Sequence, residues 1–174
     1  MSLGIAQKKK THVGIAQFAA SSDPSEMLIA ANLGSCLGVA VFDRKAGVGG
    51  MVHCLLPLSK SDPEKAKENP CMYVDTGVAH LLNQLLNLGA SKERLEVCVA
   101  GGANIADTTN VFEIGKKNFT ILRKILWKNN LLIAAQDVGE SVSRTITLDM
   151  ETGEIKLRRE GKESLLFDGG SHVL

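Results

Sequence analysis

The chain has 174 residues, 44% of them hydrophobic, with 20 Lys and Arg against 19 Asp and Glu. That length supports one domain with a real core, and a formal charge of +1, with basic residues scattered outside Lys8 to Lys10 and Lys156 to Arg159, argues against a nucleic-acid partner. No apolar run approaches the roughly 18 residues of a membrane span, and Met1 to Lys10 holds no hydrophobic leader, so a cytoplasmic protein without membrane insertion is expected.

A single domain is expected over 13–167, between an N-terminal tail at 1–12 and a C-terminal tail at 168–174; Met1-Ser2-Leu3 is set aside as an expression remnant. Val13 to Ala19 reads as a first strand, Ser21 to Ser25 as a turn, and Met27 to Ala31 as a short apolar approach to a hairpin. Cys36 to Phe42 and Val48 to Leu56 read as the two arms of that β-hairpin, around Asp43 to Gly47. Leu58 to Pro70 is polar, proline-containing and without periodicity, and reads as a mobile surface loop.

Asp75 or Thr76 is expected to cap a helix running to about Leu88, with Val78, Leu81, Leu82, Leu85 and Leu86 on one stripe and Gly89 as its stop. Leu95 to Ala100 is a short strand ending in Gly101-Gly102-Ala103. Phe112 to Asn118 leads into a second helix with the stripe Phe119, Leu122, Ile125 and Leu126, ended by Asn129-Asn130. Leu131 to Gln136 reads as a buried strand, and Val142 to Met150, Glu154 to Arg159 and Ser164 to Phe167 alternate as antiparallel strands do. The class is therefore α+β, a layered sandwich of mostly antiparallel strands with two main helices.

The hairpin carries the chemistry. A two-residue loop at Arg44-Lys45 or a four-residue loop at Asp43 to Ala46 places Cys36 opposite His53, roughly 4.5 to 5.5 Å apart at Cβ. A three- or five-residue loop instead sets Cys36 against Cys54 and turns His53 to the other face, unless a bulge restores it. Gly34, Gly38, Gly49 and Gly50 suggest bulges or close backbone approach. Cysteine beside histidine is the minimum for thiol nucleophilic catalysis, because an imidazole that takes the thiol proton raises the reactive thiolate fraction.

The other candidates have plainer readings. The four cysteines, Cys36, Cys54, Cys71 and Cys98, include no CxxC pair, so neither disulfides nor a zinc site is expected. Cys54 and Cys98 read as core, while Cys71, beside Pro70, reads as more exposed. His12 and His80 read as surface or partly buried, and His172 lies in a glycine-rich tail. Gly101-Gly102 lacks the lysine or third glycine of a nucleotide site. Metal binding by Cys36, His53 and Cys54 is disfavoured because adjacent strand residues point to opposite faces, and no cofactor is expected.

Leu33-Gly-Ser-Cys-Leu-Gly38, Gly49-Gly-Met-Val-His53 and Leu56-Pro57 resemble the CheD family, chemoreceptor glutamine deamidases of bacterial chemotaxis. Tyr73-Val-Asp75, Ala100 to Ala103, Asn118 after Ile114-Gly115, Asp137-Val-Gly139 with Arg144, and Thr152-Gly153 follow in the family's order. The resemblance implies that Cys36 attacks a receptor glutamine side chain, with His53 first as base and then as acid. Backbone amides around Ser35 and Cys36 are the nearest oxyanion donors, which gives Ser35 an oxyanion or substrate-positioning role. It also implies the fold of the cytotoxic necrotizing factor catalytic domain.

Two positions depart from the family pattern. Ala30 stands where the family has a catalytic threonine six places before the cysteine, and Glu140 replaces the second glycine of Asp-x-Gly-Gly. The first departure keeps a second reading open: an adaptor that binds receptors and a CheC-type phosphatase, with reduced catalysis. In the family that phosphatase presents a helix to the deamidase site. The implied partners are the chemoreceptor cytoplasmic domain and the CheC-type phosphatase, with a monomer outside those complexes.

Overall fold

The computed structural model describes residues 7–105 and 113–170. One five-stranded sheet has the order β1 (Lys9–His12), β3 (Glu26–Leu33), β8 (Arg144–Asp149), β9 (Ile155–Arg159), β10 (Lys162–Phe167). The other runs β2 (Gln17–Ser21), β5 (Val48–Cys54), β4 (Leu37–Asp43), β6 (Leu95–Gly101), β7 (Ile133–Val138). Only β1 with β3 and β6 with β7 pair in parallel among the described strands, so the sheets are mostly antiparallel as expected.

Two cores stack these sheets and helices into three layers. Ala40, Phe42, Met51 and Cys98 of the second sheet pack against Leu28, Ile146, Leu148 and Ile155 of the first. On the opposite face, Val39, Val41, Val52 and Val99 meet Val78, Leu81 and Leu85 of α2 (Val74–Asn87) and Leu122 and Leu126 of α3 (Ile114–Lys128). Successive strand side chains alternate between faces, so covering both sides buries all seven residues of β4. That is why its sequence is continuously apolar from Leu37 to Phe42.

Asp43 sets the register of the hairpin. Its Oδ1 accepts from the amides of Lys45 and Ala46 and its Oδ2 from that of Ser91, while Arg94 donates to both oxygens at 3.0 and 2.8 Å. The loop is therefore Arg44 to Gly47, with Asp43 paired to Val48. Pairing then runs unbroken to Leu37 opposite Cys54. The glycine at position 38 marks close packing, not a bulge: a Cβ there would lie 2.7 Å from Leu33 Cδ1.

Several expectations shift. Val13 to Ala19 is not one strand, and Lys9–His12, within the stretch read as a tail, forms β1. Tyr73 occupies the N-cap of α2, and Asp75 instead accepts from the Ser59 amide and hydroxyl. The stop at Gly89 is as read: Gly89 and Ala90 amides donate to Leu86 and Leu85 carbonyls, a Schellman closure. Residues 58–72 are short helical turns, not an open loop, with α1 (Pro63–Glu68) capped by the Asp62 side chain. Phe112 and His172 lie outside the described residues. β7 is an edge strand, with Leu132 just before it exposed, not buried. No described helix is long and apolar enough to cross a membrane.

Candidate active site

The hairpin register differs from both expected alternatives. His53 pairs with Gly38, so Cys36 is diagonal to it, not directly opposite. The loop lies one residue later than the expected even loop, which keeps the parity. Because side chains two apart share a face, Cys36 and His53 both point to the side of the first sheet. Cys36 joins the core of Ala40 and Met51 there, whereas Cys54 belongs to the helix-side core, away from Cys36.

Three consecutive carbonyls fasten the turn that carries Cys36. The Ala103 amide donates to Gly34 O (2.9 Å), Asn118 Nδ2 to Ser35 O (3.0 Å), and the Gly102 amide to Cys36 O (2.8 Å). A planar trans peptide directs its N–H opposite its C=O. The amides of Ser35 and Cys36 therefore face away from the groups gripping the carbonyls. Gly101 is confined by this arrangement: its φ is +108°, and a Cβ would sit 2.1 Å from Cys36 O. The Gly101-Gly102 pair that only superficially resembles a phosphate turn is a backbone cradle for Cys36.

Asn118 also fixes the second arm, since its Nδ2 donates to Leu55 O at 3.1 Å. One fully buried amide thus ties the residue before Cys36 to a residue two beyond His53. Its Oδ1 has no partner among the described residues. The signal for this role was an asparagine amid the apolar stripe of α3, because a polar residue buried there must serve a hydrogen bond.

His53 is 2% exposed, with Nδ1 3.1 Å from the carbonyl oxygen of Val13. Nδ1–H donating to that carbonyl leaves Nε2 as the basic nitrogen. Nε2 is buried without a hydrogen-bond partner among the described residues. Burial pushes the imidazole below its ordinary value, with the Val13 carbonyl acting the other way. Burial also pushes the Cys36 thiol up, opposed by its own backbone amide. Both shifts favour the neutral form of their group.

Ala30 is fully buried and pairs with Ile146, in the same core as Cys36 and Val13. Glu140 has φ +55°, the left-handed region that glycine tolerates best. Its carbonyl accepts from the Asn104 amide and its carboxylate pairs with Arg159. Buried Arg144 holds this loop by donating to Asp137 Oδ1 and to the carbonyls of Gly139 and Val142, and Gly139 N donates to Gly101 O. The family-like residues after β7 therefore brace the cradle from behind.

Cys54 and Cys98 are core as read, and burial drives Cys98 to about 12. Cys71 is 3% exposed, contrary to its expected exposure, because it lies under the first turn of α2 where Gly77 approaches its backbone. His12 is exposed and His80 partly buried against Phe18.

Comparison with known proteins agrees with the motifs. Residues 55–159 match the family model of CheD, described as chemotactic sensory transduction. A protein of Solibacter usitatus named probable chemoreceptor glutamine deamidase CheD is 43% identical over 88% of this chain and 91% of its own. A likewise named CheD 1 of Syntrophus aciditrophicus is 44% identical over 86% and 93%, and the Pyrococcus horikoshii protein 38% over 88% and 96%. Among solved structures, Bacillus licheniformis YfiH is similar at a TM-score of 0.44 and 10% identity, covering 71% of this chain and 49% of that one, a likeness too low to argue from. The chain belongs to the CheD family.

Proposed function

We propose that this protein deamidates glutamine side chains of chemoreceptors, with Cys36 as nucleophile and His53 as general base and acid. The observation that carries this reading is His53 Nδ1 against the Val13 carbonyl, which presents Nε2 as the base on the face shared with Cys36. The relatives' names, chemoreceptor glutamine deamidase, supply the substrate class.

Cys36 Sγ attacks the carboxamide carbon as its proton passes to His53 Nε2. The oxygen of the tetrahedral intermediate is negative, and the outward amides of Ser35 and Cys36 are the donors that stabilise it; removing one such donor typically costs about 10²–10³ in kcat. His53 then protonates the departing nitrogen, ammonia leaves, and a thioester remains. Water attacks that thioester, giving a proton to His53, which passes it to the departing thiolate, so glutamate is released and the thiol is restored. Pushing the thiol up and the imidazole down favours transfer of the thiol proton within the attack step over a preformed ion pair.

The adaptor reading drew on Ala30, which has no hydroxyl to orient the imidazole. A backbone carbonyl in that role makes the hydroxyl unnecessary, so deamidation remains the favoured reading. A CheC-type phosphatase helix at the same cleft needs its shape and not its thiol, so that complex should survive Cys36→Ala. The expected likeness to the cytotoxic necrotizing factor catalytic domain is proposed on the same ground, a thiol and an imidazole on one sheet face. Ammonia release from a chemoreceptor cytoplasmic fragment tests the function: it should accompany the wild-type protein and vanish with Cys36→Ala.

A further inference from the structure

A second surface lies along the outer flank of α3. A groove of about 790 Å³ opens between α3 and β7, floored by Phe119, Leu131 and Ile133 and flanked by Trp127, Arg123 and Lys124. Trp127 and Leu132, which also line it, are 79% and 85% exposed, the most exposed large hydrophobic side chains among the described residues. Apolar side chains lose water-exposed surface when a partner covers them, so a site that leaves both in water gains most when covered.

The charge around this groove selects the occupant. α3 carries Lys116, Lys117, Arg123, Lys124 and Lys128 and no acidic residue, in a chain whose formal charge is only +1. Arg123 stacks over the Phe119 ring, 6.0 Å from its centroid, and no carboxylate pairs with Arg123, Lys124 or Lys128 among the described residues. A second copy of the chain is disfavoured, because a two-fold contact sets one basic helix against another. A bilayer is disfavoured because Leu122 and Leu126 of α3 are already spent on the core, which leaves Trp127 and Leu132 as the strongly exposed side chains to insert. A nucleic-acid backbone would leave the apolar floor unfilled.

We infer that the groove docks an acidic amphipathic helix and, resting on the deamidase reading, that this helix belongs to the chemoreceptor bundle. An apolar stripe fills the floor against Trp127 and Leu132, and flanking Glu and Asp meet Arg123 and Lys124. Asn118 and Trp127 are nine residues apart on α3, roughly 13 Å along its axis. The grip is thus displaced from the turn that holds Cys36, and acts as a secondary contact that holds the bundle while one glutamine reaches the thiol.

Trp127 is the only tryptophan in the chain, so its fluorescence reports on this groove alone. A chemoreceptor cytoplasmic fragment is titrated into Cys36→Ala protein, which binds without turnover, and into the same protein carrying Arg123→Glu and Lys124→Glu, with thermal melts confirming that both are folded. The expected result is a saturable blue shift, weakened at least tenfold by the charge reversal, and a KM for glutamine conversion raised at least tenfold when the reversal is placed in active protein. Conversion with an unchanged KM overturns the docking site and leaves the deamidase reading standing. A charge-sensitive blue shift without conversion by the wild type supports the docking site and sinks the deamidase reading. A blue shift produced by phosphatidylglycerol vesicles or by self-association, and not by the fragment, overturns the inference.

Discussion

His53 Nδ1 meets the main-chain carbonyl of Val13, 40 residues earlier in the chain, at 3.1 Å. The group that orients the imidazole is therefore backbone, and no side-chain substitution deletes it. Under the proposed mechanism, this makes Ala30 compatible with catalysis. Ala30→Thr should give no more than a twofold gain in deamidation rate, because the orienting hydrogen bond already exists. It should also destabilise the protein by about 1–3 kcal/mol, since a hydroxyl enters a fully buried apolar position. Steady-state kinetics with a denaturant titration check both; a rise above tenfold would show that Val13 does not suffice.

A neutral resting pair has a pH signature. Alkylation of Cys36 by iodoacetamide, taken as the difference between wild type and Cys36→Ala, should climb only above the ordinary thiol range, because burial raises this thiol. In kcat/KM the acid limb should lie below the ordinary histidine value of 6.5, because the folded imidazole gives up its proton more readily. The stability sign agrees: the unfolded chain protonates first, so this group's contribution is complete above 6.5 and is lost as pH falls from there towards the lower folded value. A thiolate already formed at neutral pH would contradict the neutral pair.

Under the proposed mechanism, Asn118 should act on catalysis through position. Asn118→Ala removes the donor to the part-buried carbonyls of Ser35 and Leu55, at about 1–3 kcal/mol of stability. Because the tie spans the two arms, kcat should fall at least tenfold with KM within twofold. A variant that loses stability but keeps kcat would reduce Asn118 to a structural role.

Asp43 should govern acid stability. Burial alone would raise its carboxyl, but Arg94 and the amides of Ser91 and Ala46 outweigh that and hold it at about 2, against an ordinary 3.8. Its contribution is complete above 3.8 and is lost as pH falls towards 2. Unfolding of wild type and Asp43→Asn compared across that window should show the steeper acid loss in the wild type; parallel curves would contradict the assignment.

Strand faces were more legible in the sequence than strand register. That Cys36 and His53 share a face was legible because strand parity constrains it, and both even loops share that parity with the real one. The diagonal placement was not legible, since it depends on Asp43 capturing the amides of Lys45 and Ala46. Val13 was hidden for a different reason: its contribution is a carbonyl, which any residue supplies. The two main helices were legible from their stripes and stops, except that Leu86, placed on the stripe of α2, is exposed, whereas the short turns over 58–72 lack periodicity and take shape from Asp62, Asn69 and Asp75 side-chain contacts. Glu140 became intelligible only through its backbone angle.

The most direct test is mass spectrometry of a chemoreceptor cytoplasmic fragment after incubation with wild-type, Cys36→Ala and His53→Ala protein, scoring glutamine-to-glutamate conversion residue by residue. The account predicts conversion at discrete glutamines by the wild type and none above background by either variant. Equal conversion by wild type and Cys36→Ala, or none by a wild-type protein that binds the fragment, would contradict it.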